Sequence, residues 1–357
     1  MKRSTWNPLG PFSSRSIRWL EAPEPEGVVV QEERAKSVLS RNDSPDLPFR
    51  YSVNPYRGCG HACAYCYARP SHEYLDLGAG ADFDRKLIVK INAPEQLALE
   101  LAPARFRNEV VALCGSTDPY QPIEARYRLT RQMLKVFLQR ATPVCIVTKG
   151  ALIRRDLDLL TQLAERGLLR IYLSIPFLDS DLARKFEPGA PTPTKRFEVL
   201  ESLHKSGIPV GVSLAPLIPG LNEEQLPGLL EAAANAGATS AFTGLLRLPG
   251  STREVFFERL ERLAPARAQK VRNGLLEARD GHLEESRFGH RQSGTGPRYR
   301  AAMDLFLLTA RRLGLETYEP GQGRFEAVTG DGRTTDPAGS SGATNSTGVS
   351  QGELFPS

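Results

Sequence analysis

The sequence has few cysteines and no long run of apolar residues, and these two shortages exclude whole classes of protein. Its 357 residues include five cysteines, an odd number and too few for the disulfide framework of a small secreted domain. No stretch approaches the roughly 18 apolar residues that a membrane-spanning helix requires. Residues 1–20 lack the apolar segment of a signal peptide, and Pro8 and Pro11 interrupt any amphipathic targeting helix. We therefore expect a cytoplasmic protein with reduced thiols.

Neither sign of charge dominates. Lys and Arg total 46 against 41 for Asp and Glu, which gives a formal net charge of +5. This small excess permits an anionic partner, but it is far from the charge density of a protein that coats nucleic acid. Because 40% of the residues are hydrophobic, the chain can bury a conventional core.

Short apolar runs rich in β-branched residues alternate with amphipathic segments from Phe49 onwards. The runs predict strands at 49–53, 109–115, 143–149, 170–175, 209–216 and 240–246. The segments between them predict helices at 94–103, 123–140, 154–167, 193–207 and 222–237, of which three stop at Gly167, Gly207 and Gly237. Apolar strands joined by helices predict a parallel sheet covered on both faces, either an open doubly wound sheet or a complete or partial β/α barrel. A further run at 86–92 is a strand or loop without a predicted place.

The two ends of the chain differ from this central pattern. Residues 1–48 contain six prolines, which predicts an extension packed over the core or, equally, a partly disordered leader. Residues 252–328 are predicted to be helical, with a basic loop at 287–300, and we place the end of the core at residue 265 and a helical C-terminal segment at 266–328. Residues 329–357 are almost wholly small and polar, which predicts a disordered tail.

Three of the cysteines crowd together just after the first predicted strand. Cys59, Cys63 and Cys66 have the spacing C-x3-C-x2-C. Three thiolates on one loop can hold three irons of a 4Fe-4S cluster and leave the fourth iron open to a substrate or cofactor. The alternative is a zinc ion held by the same cysteines together with His61 or His72. Structural zinc sites usually draw their ligands from two separated pairs, which favours iron, but the spacing alone leaves both open.

This segment resembles the radical S-adenosylmethionine (SAM) superfamily, whose C-x3-C-x-aromatic-C loop is matched by Cys59, Cys63, Tyr65 and Cys66. The segments RGCGHACAYCYAR and STDPYQPIE are most similar to the spore photoproduct lyase-like branch of this superfamily. The resemblance covers roughly residues 49–250. The resemblance implies an α/β fold with a partial (β/α)6 barrel of parallel strands over residues 49–265. It also implies a 4Fe-4S cluster, SAM and an electron donor of the flavodoxin or ferredoxin type. Reductive cleavage of SAM would then give a 5'-deoxyadenosyl radical that abstracts hydrogen from a substrate.

The resemblance further implies SAM-binding residues at the carboxyl ends of the strands, which meet at one mouth of a barrel. Thr117, Asp118 and Glu124 are candidates for the amino end of SAM, because an ammonium group takes carboxylate and hydroxyl acceptors. No Gly-Gly-Glu motif is present to choose among them, and an Asp-Pro turn that caps a helix is the alternative. The remaining candidates are Tyr65 on the cysteine loop, Lys149, Ser174 and Arg196 for the carboxylate and ribose, and Ala215 and Pro216 for the adenine wall. A solvated lysine and an exposed helical arginine are the alternatives for Lys149 and Arg196.

The two other cysteines, Cys114 and Cys145, lie within apolar strands and are predicted to be buried core thiols. Spore photoproduct lyase is associated with a cysteine hydrogen donor near its substrate, so Cys114 is also a catalytic candidate, together with Tyr120. Tyr67 and Tyr120 are candidate hydrogen donors or base-stacking residues, and packing explains them equally well.

Two features concern partners. The basic stretch Arg287–Arg300 and the net positive charge predict that the protein binds DNA or RNA. The nucleic acid would be the substrate of a repair or modification enzyme. Alternatively, it would be the ligand of a zinc-stabilised binding protein without catalysis. Gln351, Leu354 and Phe355 form a Gln-x-x-Leu-Phe pattern that resembles the short peptides by which bacterial repair and replication proteins bind the sliding clamp. Chance hydrophobic residues explain that pattern equally well.

Overall fold

The computed structural model describes Pro8 and residues 27–318. The predicted tail at 329–357, with Gln351, Leu354 and Phe355, lies outside the described residues, as does most of the stretch before residue 27. No helix within 27–318 has both the length and the apolar character needed to cross a membrane.

The strands of the described part of the chain, in order, are β1 (Val29–Glu33), β2 (Leu39–Arg41), β3 (Tyr51–Val53), β4 (Tyr56–Arg57), β5 (Lys86–Lys90), β6 (Val111–Leu113), β7 (Val144–Thr148), β8 (Leu169–Ser174), β9 (Val210–Ser213), β10 (Ser240–Phe242) and β11 (Glu316–Thr317). The α-helices are α1 (Ala81–Arg85), α2 (Ala93–Glu100), α3 (Glu124–Tyr127), α4 (Leu129–Arg140), α5 (Leu157–Glu165), α6 (Ser180–Phe186), α7 (Pro193–Lys205), α8 (Leu226–Asn235), α9 (Thr252–Leu263), α10 (Pro265–Ala278) and α11 (Pro297–Arg312).

An eight-stranded sheet forms the centre of the fold, in the order β11-β10-β9-β8-β7-β6-β3-β2. The six predicted strands are β3 and β6 to β10, and each pairs in parallel with its neighbour, whereas β2 is antiparallel to β3. Helices α5 and α7 pack against β8, and α7 also contacts β9. The predicted α/β fold with mostly parallel strands is confirmed. Within the described residues no ladder joins β2 to β11, so the sheet is open, as in a partial barrel.

The run at 86–92, which had no predicted place, contains β5. This strand pairs in parallel with β1 and antiparallel with β4 in a separate three-stranded sheet. Residues 29–41 therefore contribute one strand to each sheet, β1 to the small one and β2 to the large one. The small sheet positions the segment that follows β4, which carries the clustered cysteines.

The predicted helices are present, but the one expected at 123–140 is broken in two. Arg128 has a left-handed conformation with a φ of 54° and separates α3 from α4. The break is stabilised because the Glu124 carboxylate accepts the backbone N–H groups of Thr130 (3.0 Å) and Arg131 (3.4 Å) at the start of α4, where amides lack partners within the helix.

The predicted ends of three helices agree with the structure, whereas the predicted basic loop is shorter than expected. Gly167, Gly207 and Gly237 follow helices with φ values of 67°, 73° and 93°, which confirms the three predicted C-terminal stops. The helical segment after residue 252 consists of α9, α10 and α11. The basic loop predicted to reach residue 300 ends earlier, because Pro297 starts α11 at a position where proline costs no hydrogen bond.

Candidate functional site

The clustered cysteines lie on the loop of residues 58–68, which follows β4 and is tied to the end of β6. The Gln121 side chain, fully buried, accepts from Gly60 N (2.9 Å) and donates to Gly58 O (3.1 Å). Asn54 lies between β3 and β4, and its Oδ1 accepts from the backbone N–H groups of Ser116 (3.1 Å) and Thr117 (3.3 Å). The cysteine loop and the segment after β6 therefore form one rigid unit at the mouth of the sheet.

The three cysteines are free thiols, with Cys59 and Cys63 buried and Cys66 partly exposed. Burial raises the pKa of each thiol, and the neighbouring cysteines raise it further for Cys59 and Cys63. The pKa of Cys63 reaches about 12. A metal that binds these thiols must displace their protons, so its affinity depends on pH.

Two buried arginines fix the backbone of the cysteine loop. Arg69 Nε and Nη2 donate to Cys63 O at 3.1 and 2.7 Å, and Arg259 Nη1 of α9 donates to Ala62 O at 3.0 Å. Both guanidinium groups share the buried carboxylate of Asp84, at 2.7 and 2.5 Å. The loop is thus held through its carbonyl groups, and the sulfur atoms are not used for this purpose.

The segment after β8 approaches the same loop closely. Gly189 N donates to His61 O (3.0 Å), and a Cβ at Gly189 would lie 1.9 Å from Gly60 O. Position 189 therefore excludes any side chain, and the segment 187–196 is fixed beside the cysteines.

The zinc alternative is not formed in the described residues. His61 Nδ1 lies 3.3 Å from an Asp118 carboxylate oxygen, and His72 Nε2 lies 2.9 Å from Lys86 O. Across residues 27–318, no three side chains of His, Cys, Asp or Glu are grouped so that they could hold one metal ion. A 4Fe-4S cluster makes a different demand, because each cysteine binds a different iron.

Asp118 is a fully engaged carboxylate. One oxygen accepts from Thr148 Oγ1 (2.5 Å) and Tyr120 N (2.8 Å), and the other faces Lys149 N (2.7 Å) and His61 Nδ1. Burial alone would raise its pKa, but His61 and these hydrogen bonds hold it at about 2. The neighbouring Thr117 differs, because its buried hydroxyl has no hydrogen-bond partner among the described residues.

Glu124 is fully buried and equally engaged. Its carboxylate accepts from Tyr56 OH, from the backbone amides of Thr130 and Arg131, and from Arg155 Nη2 at 2.6 Å. These contacts use the roughly four acceptor positions of a carboxylate. The carboxylate of Glu124 therefore has no free acceptor position within the described residues, and its role at the amino end of SAM stays a prediction.

Three predicted site residues, Tyr65, Lys149 and Arg196, converge on Glu187, which the sequence reasoning missed. Tyr65 OH donates to one carboxylate oxygen of Glu187, and Arg196 pairs with the other. Lys149 Nζ lies 3.7 Å from Glu187 Oε1, 2.8 Å from Ser174 Oγ and 5.7 Å from the centre of the Tyr65 ring. Burial would raise the pKa of Glu187, but the charges of Arg196 and Lys149 hold it below its usual range. Glu187 is the first residue of the sequence EPG that precedes Arg196, and this Glu-Pro pair was the only feature of the sequence that indicated Glu187.

The cysteine and tyrosine candidates lie in different places and differ in their exposure to solvent. Cys114 and Cys145 are both buried, as predicted. Cys114 directly follows β6, and burial raises its pKa to about 12. Tyr67 is half exposed and directly follows Cys66 on the cysteine loop. Tyr120 is buried in the core beside the acids of the Glu124 network. The predicted adenine wall, residues 215–216, follows β9.

Comparisons with known proteins identify the family of this chain. The sequence profile of the radical SAM superfamily matches residues 53–233. An uncharacterised protein of Mycobacterium tuberculosis is 40% identical over 259 residues, which cover 72% of this chain and 76% of the relative. A Pseudomonas phage protein named radical SAM Nalpha-GlyT isomerase is 24% identical over 225 residues, 61% of this chain and 44% of that protein. A solved structure of spore photoproduct lyase shares the fold, with a TM-score of 0.59 and 17% identity over 86% of this chain and 88% of that one.

Proposed function

Because the chain belongs to the radical SAM superfamily, we propose that it is an enzyme that cleaves SAM reductively and abstracts hydrogen from a nucleic-acid substrate in repair or modification. Members of this superfamily use a 4Fe-4S cluster and SAM. The observation that carries the proposal is the convergence of Tyr65, Lys149 and Arg196 on Glu187, directly beside a loop with three free thiols.

The residues present fit a 4Fe-4S cluster. Cys59, Cys63 and Cys66 would hold three irons, and the described residues supply no fourth ligand of the usual kind. The arginine contacts hold the loop through carbonyl oxygens and leave the thiols available. When bound, the cluster and SAM supply the electron transfer and the radical chemistry.

The protein residues would orient SAM. Two cations, Lys149 and Arg196, contact the single anion Glu187, so the three side chains together carry one net positive charge. This charge suits the carboxylate of SAM, and Lys149 is the more accessible of the two cations. The unpaired Thr117 hydroxyl is our candidate acceptor for the amino group, with Asp118 as the acid that fixes the surrounding backbone. Ser174 Oγ holds Lys149 in place, and the burial of the loop keeps water away.

Cys114 is our candidate for the hydrogen donor to the substrate, because it directly follows β6 at the carboxyl end of the sheet. The position of Tyr120 in the core does not favour the second catalytic candidate. One comparison supports the nucleic-acid substrate, because spore photoproduct lyase, which shares the fold, has been solved with a dinucleoside spore photoproduct.

Further proposals concern partners and organisation. We propose an electron donor of the flavodoxin or ferredoxin type and a sliding-clamp contact through Gln351, Leu354 and Phe355. We also propose the division into residues 1–48, 49–265, 266–328 and 329–357 as extension, catalytic core, helical segment and tail.

The test is the iron, sulfide and zinc content of anaerobically purified protein, with 5'-deoxyadenosine followed after reduction in the presence of SAM. We expect about four irons per chain and formation of 5'-deoxyadenosine. One zinc per chain without SAM cleavage would refute the proposal. The control is Cys63→Ala, which should lose both signals.

A further inference from the structure

Arg247 is a half-buried cation without an anionic partner. It follows β10 and lies beside the cysteine loop, with its guanidinium carbon 5.9 Å from the centre of the Tyr67 ring. Within residues 27–318 its side chain makes neither an ion pair nor a hydrogen bond. Removing a guanidinium from water without a counterion is unfavourable, so this position favours a bound anion.

The neighbouring cations increase that preference. Burial and the charge of Arg291 lower the pKa of Arg247, and Arg247 in turn lowers that of Arg279. Arg291 pairs with Asp46, while Arg279 donates to carbonyl groups, including Leu283 O at 2.9 Å. Glu284 is the other carboxylate that acts on Arg247, and it makes no ion pair with it. Arg247 therefore has four charged neighbours, Arg279, Arg291, Asp46 and Glu284, and none of them forms an ion pair with its guanidinium.

The unpaired Arg247 lies outside the basic stretch that the sequence predicted to bind nucleic acid. Within the basic stretch 287–300, Arg287 pairs with Glu285 at 2.7 Å and Arg298 with Glu223 at 2.9 Å. Arg291 pairs with Asp46, and the exposed Arg300 donates to the Thr295 carbonyl. Arg247, which lies outside that stretch, is partly buried and makes no ion pair within residues 27–318.

Exposed aromatic rings flank the arginines. Tyr67 is 50% exposed and Phe288 is 59% exposed, and Arg291 lies 4.7 Å from the centre of the Phe288 ring. The loop that carries Phe288 is fixed to the end of β10 by the hydrogen bond from Leu245 N to Gln292 O (2.8 Å). Arginine interleaved with exposed rings is typical of surfaces that bind a phosphate backbone and stack its bases.

We infer that Arg247 binds a backbone phosphate of a nucleic-acid strand whose neighbouring base stacks on Tyr67, next to Cys66. This inference rests on the proposed function, because it places the substrate at the mouth of the same site. Cys59 and Cys63 are buried, so a base within a duplex cannot reach the loop. The reacting nucleotide therefore has to be single-stranded or turned out of the helix.

The test measures binding of a fluorescent single-stranded oligonucleotide to the cluster-loaded protein by anisotropy, with DNA, RNA and duplex arms. Arg247→Gln should weaken binding of the single strand by about tenfold or more and should lower the dependence on salt by about one phosphate contact. Arg253→Gln, an exposed arginine on α9, removes the same charge and should weaken it by less than about threefold. Arg247→Lys should restore part of the affinity, because it keeps the charge without the planar fork.

Iron content and SAM cleavage without oligonucleotide are measured on the same samples and should be unchanged in Arg247→Gln. Equal losses in Arg247→Gln and Arg253→Gln would overturn the inference in favour of binding through overall charge. SAM cleavage by a wild-type protein that binds neither DNA nor RNA would also overturn it, while the radical SAM assignment would stand. Binding that depends on Arg247 in a protein that does not cleave SAM would support the phosphate site and refute the proposed function.

Discussion

The buried arrangement of Arg69, Asp84 and Arg259 predicts that α9 holds the cysteine loop in place. Arg259→Met removes one of the two cations bound to Asp84 and the donor to Ala62 O. Breaking a buried ion pair from one side costs about 3–5 kcal/mol. Because Arg69 stays paired with Asp84, we expect the lower end, about 3 kcal/mol. For a domain of this size, that loss corresponds to a decrease of about 6 °C in Tm.

The assay is urea unfolding of the wild type and two variants, followed by circular dichroism and supported by thermal scans. Arg262→Met is the matched control, because Arg262 lies on the same helix but is exposed and pairs with Glu258 across one turn at 3.1 Å. Such a surface pair contributes less than about 0.5 kcal/mol. Anaerobic iron retention provides a second measurement, and Arg259→Met should lose iron faster than Arg262→Met. Equal stabilities of the two variants would refute the reasoning.

Three further predictions concern the cysteines, the acid cluster and the tail. Cys63→Ala should lose the cluster but keep the fold, because Arg69 binds the carbonyl of residue 63 and not its sulfur; iron retention at the wild-type level, measured beside circular dichroism, would contradict the assignment. Glu187→Gln should weaken SAM binding, measured by equilibrium dialysis, and destabilise the fold at neutral pH. Since the pKa of Glu187 is held below its usual range, its contribution is present above the ordinary carboxyl pKa and is lost as the pH falls, so the variant should show less of this acid dependence. The exposed Glu198→Gln on α7 is the control, and equal effects would count against the cluster. Deletion of residues 351–357 should abolish capture of the sliding clamp and leave SAM cleavage unchanged; unchanged capture would dispose of the tail hypothesis.

Six of the eight strands of the large sheet, β3 and β6 to β10, were predictable because their signal is local, whereas the short edge strands β2 and β11 were not predicted. β7 and β8 are short β-branched runs that are buried along almost their whole length, which is the pattern of a covered parallel sheet. The three-stranded sheet was not predictable in this way. β1 is mostly exposed and its sequence, VVQEE, shows little alternation, while its pairing with β5 joins segments more than 50 residues apart. Such pairing depends on tertiary contacts and leaves no periodic pattern in either segment.

The candidate site also combines a local sequence pattern with contacts between residues that are distant in sequence. The spacing of Cys59, Cys63 and Cys66 is a local pattern, and the sequence predicts the loop from it. The groups that hold the loop are distant in sequence, since Gln121 binds Gly60 across 61 residues and Arg259 binds Ala62 across 197. Gln121 lies in the STDPYQPIE segment, which does not indicate its contact with Gly60, and Arg259 lies outside both quoted segments, so only the folded chain identifies these contacts.

The acids show why residue type alone assigned some roles poorly. Asp118 and Glu124 were candidates because an ammonium group needs a carboxylate, yet both are occupied by donors of their own fold. Buried carboxylates are nearly always satisfied within the protein, so their presence near a site says little about a ligand. Groups that remain unpaired are more informative, although Thr142 Oγ1 is also unpaired in the described chain and sits at the end of α4. The lack of a partner therefore indicates a ligand only together with a position beside the cysteine loop, and Thr117 and Arg247 meet both conditions, one for the amino end of SAM and the other for a phosphate.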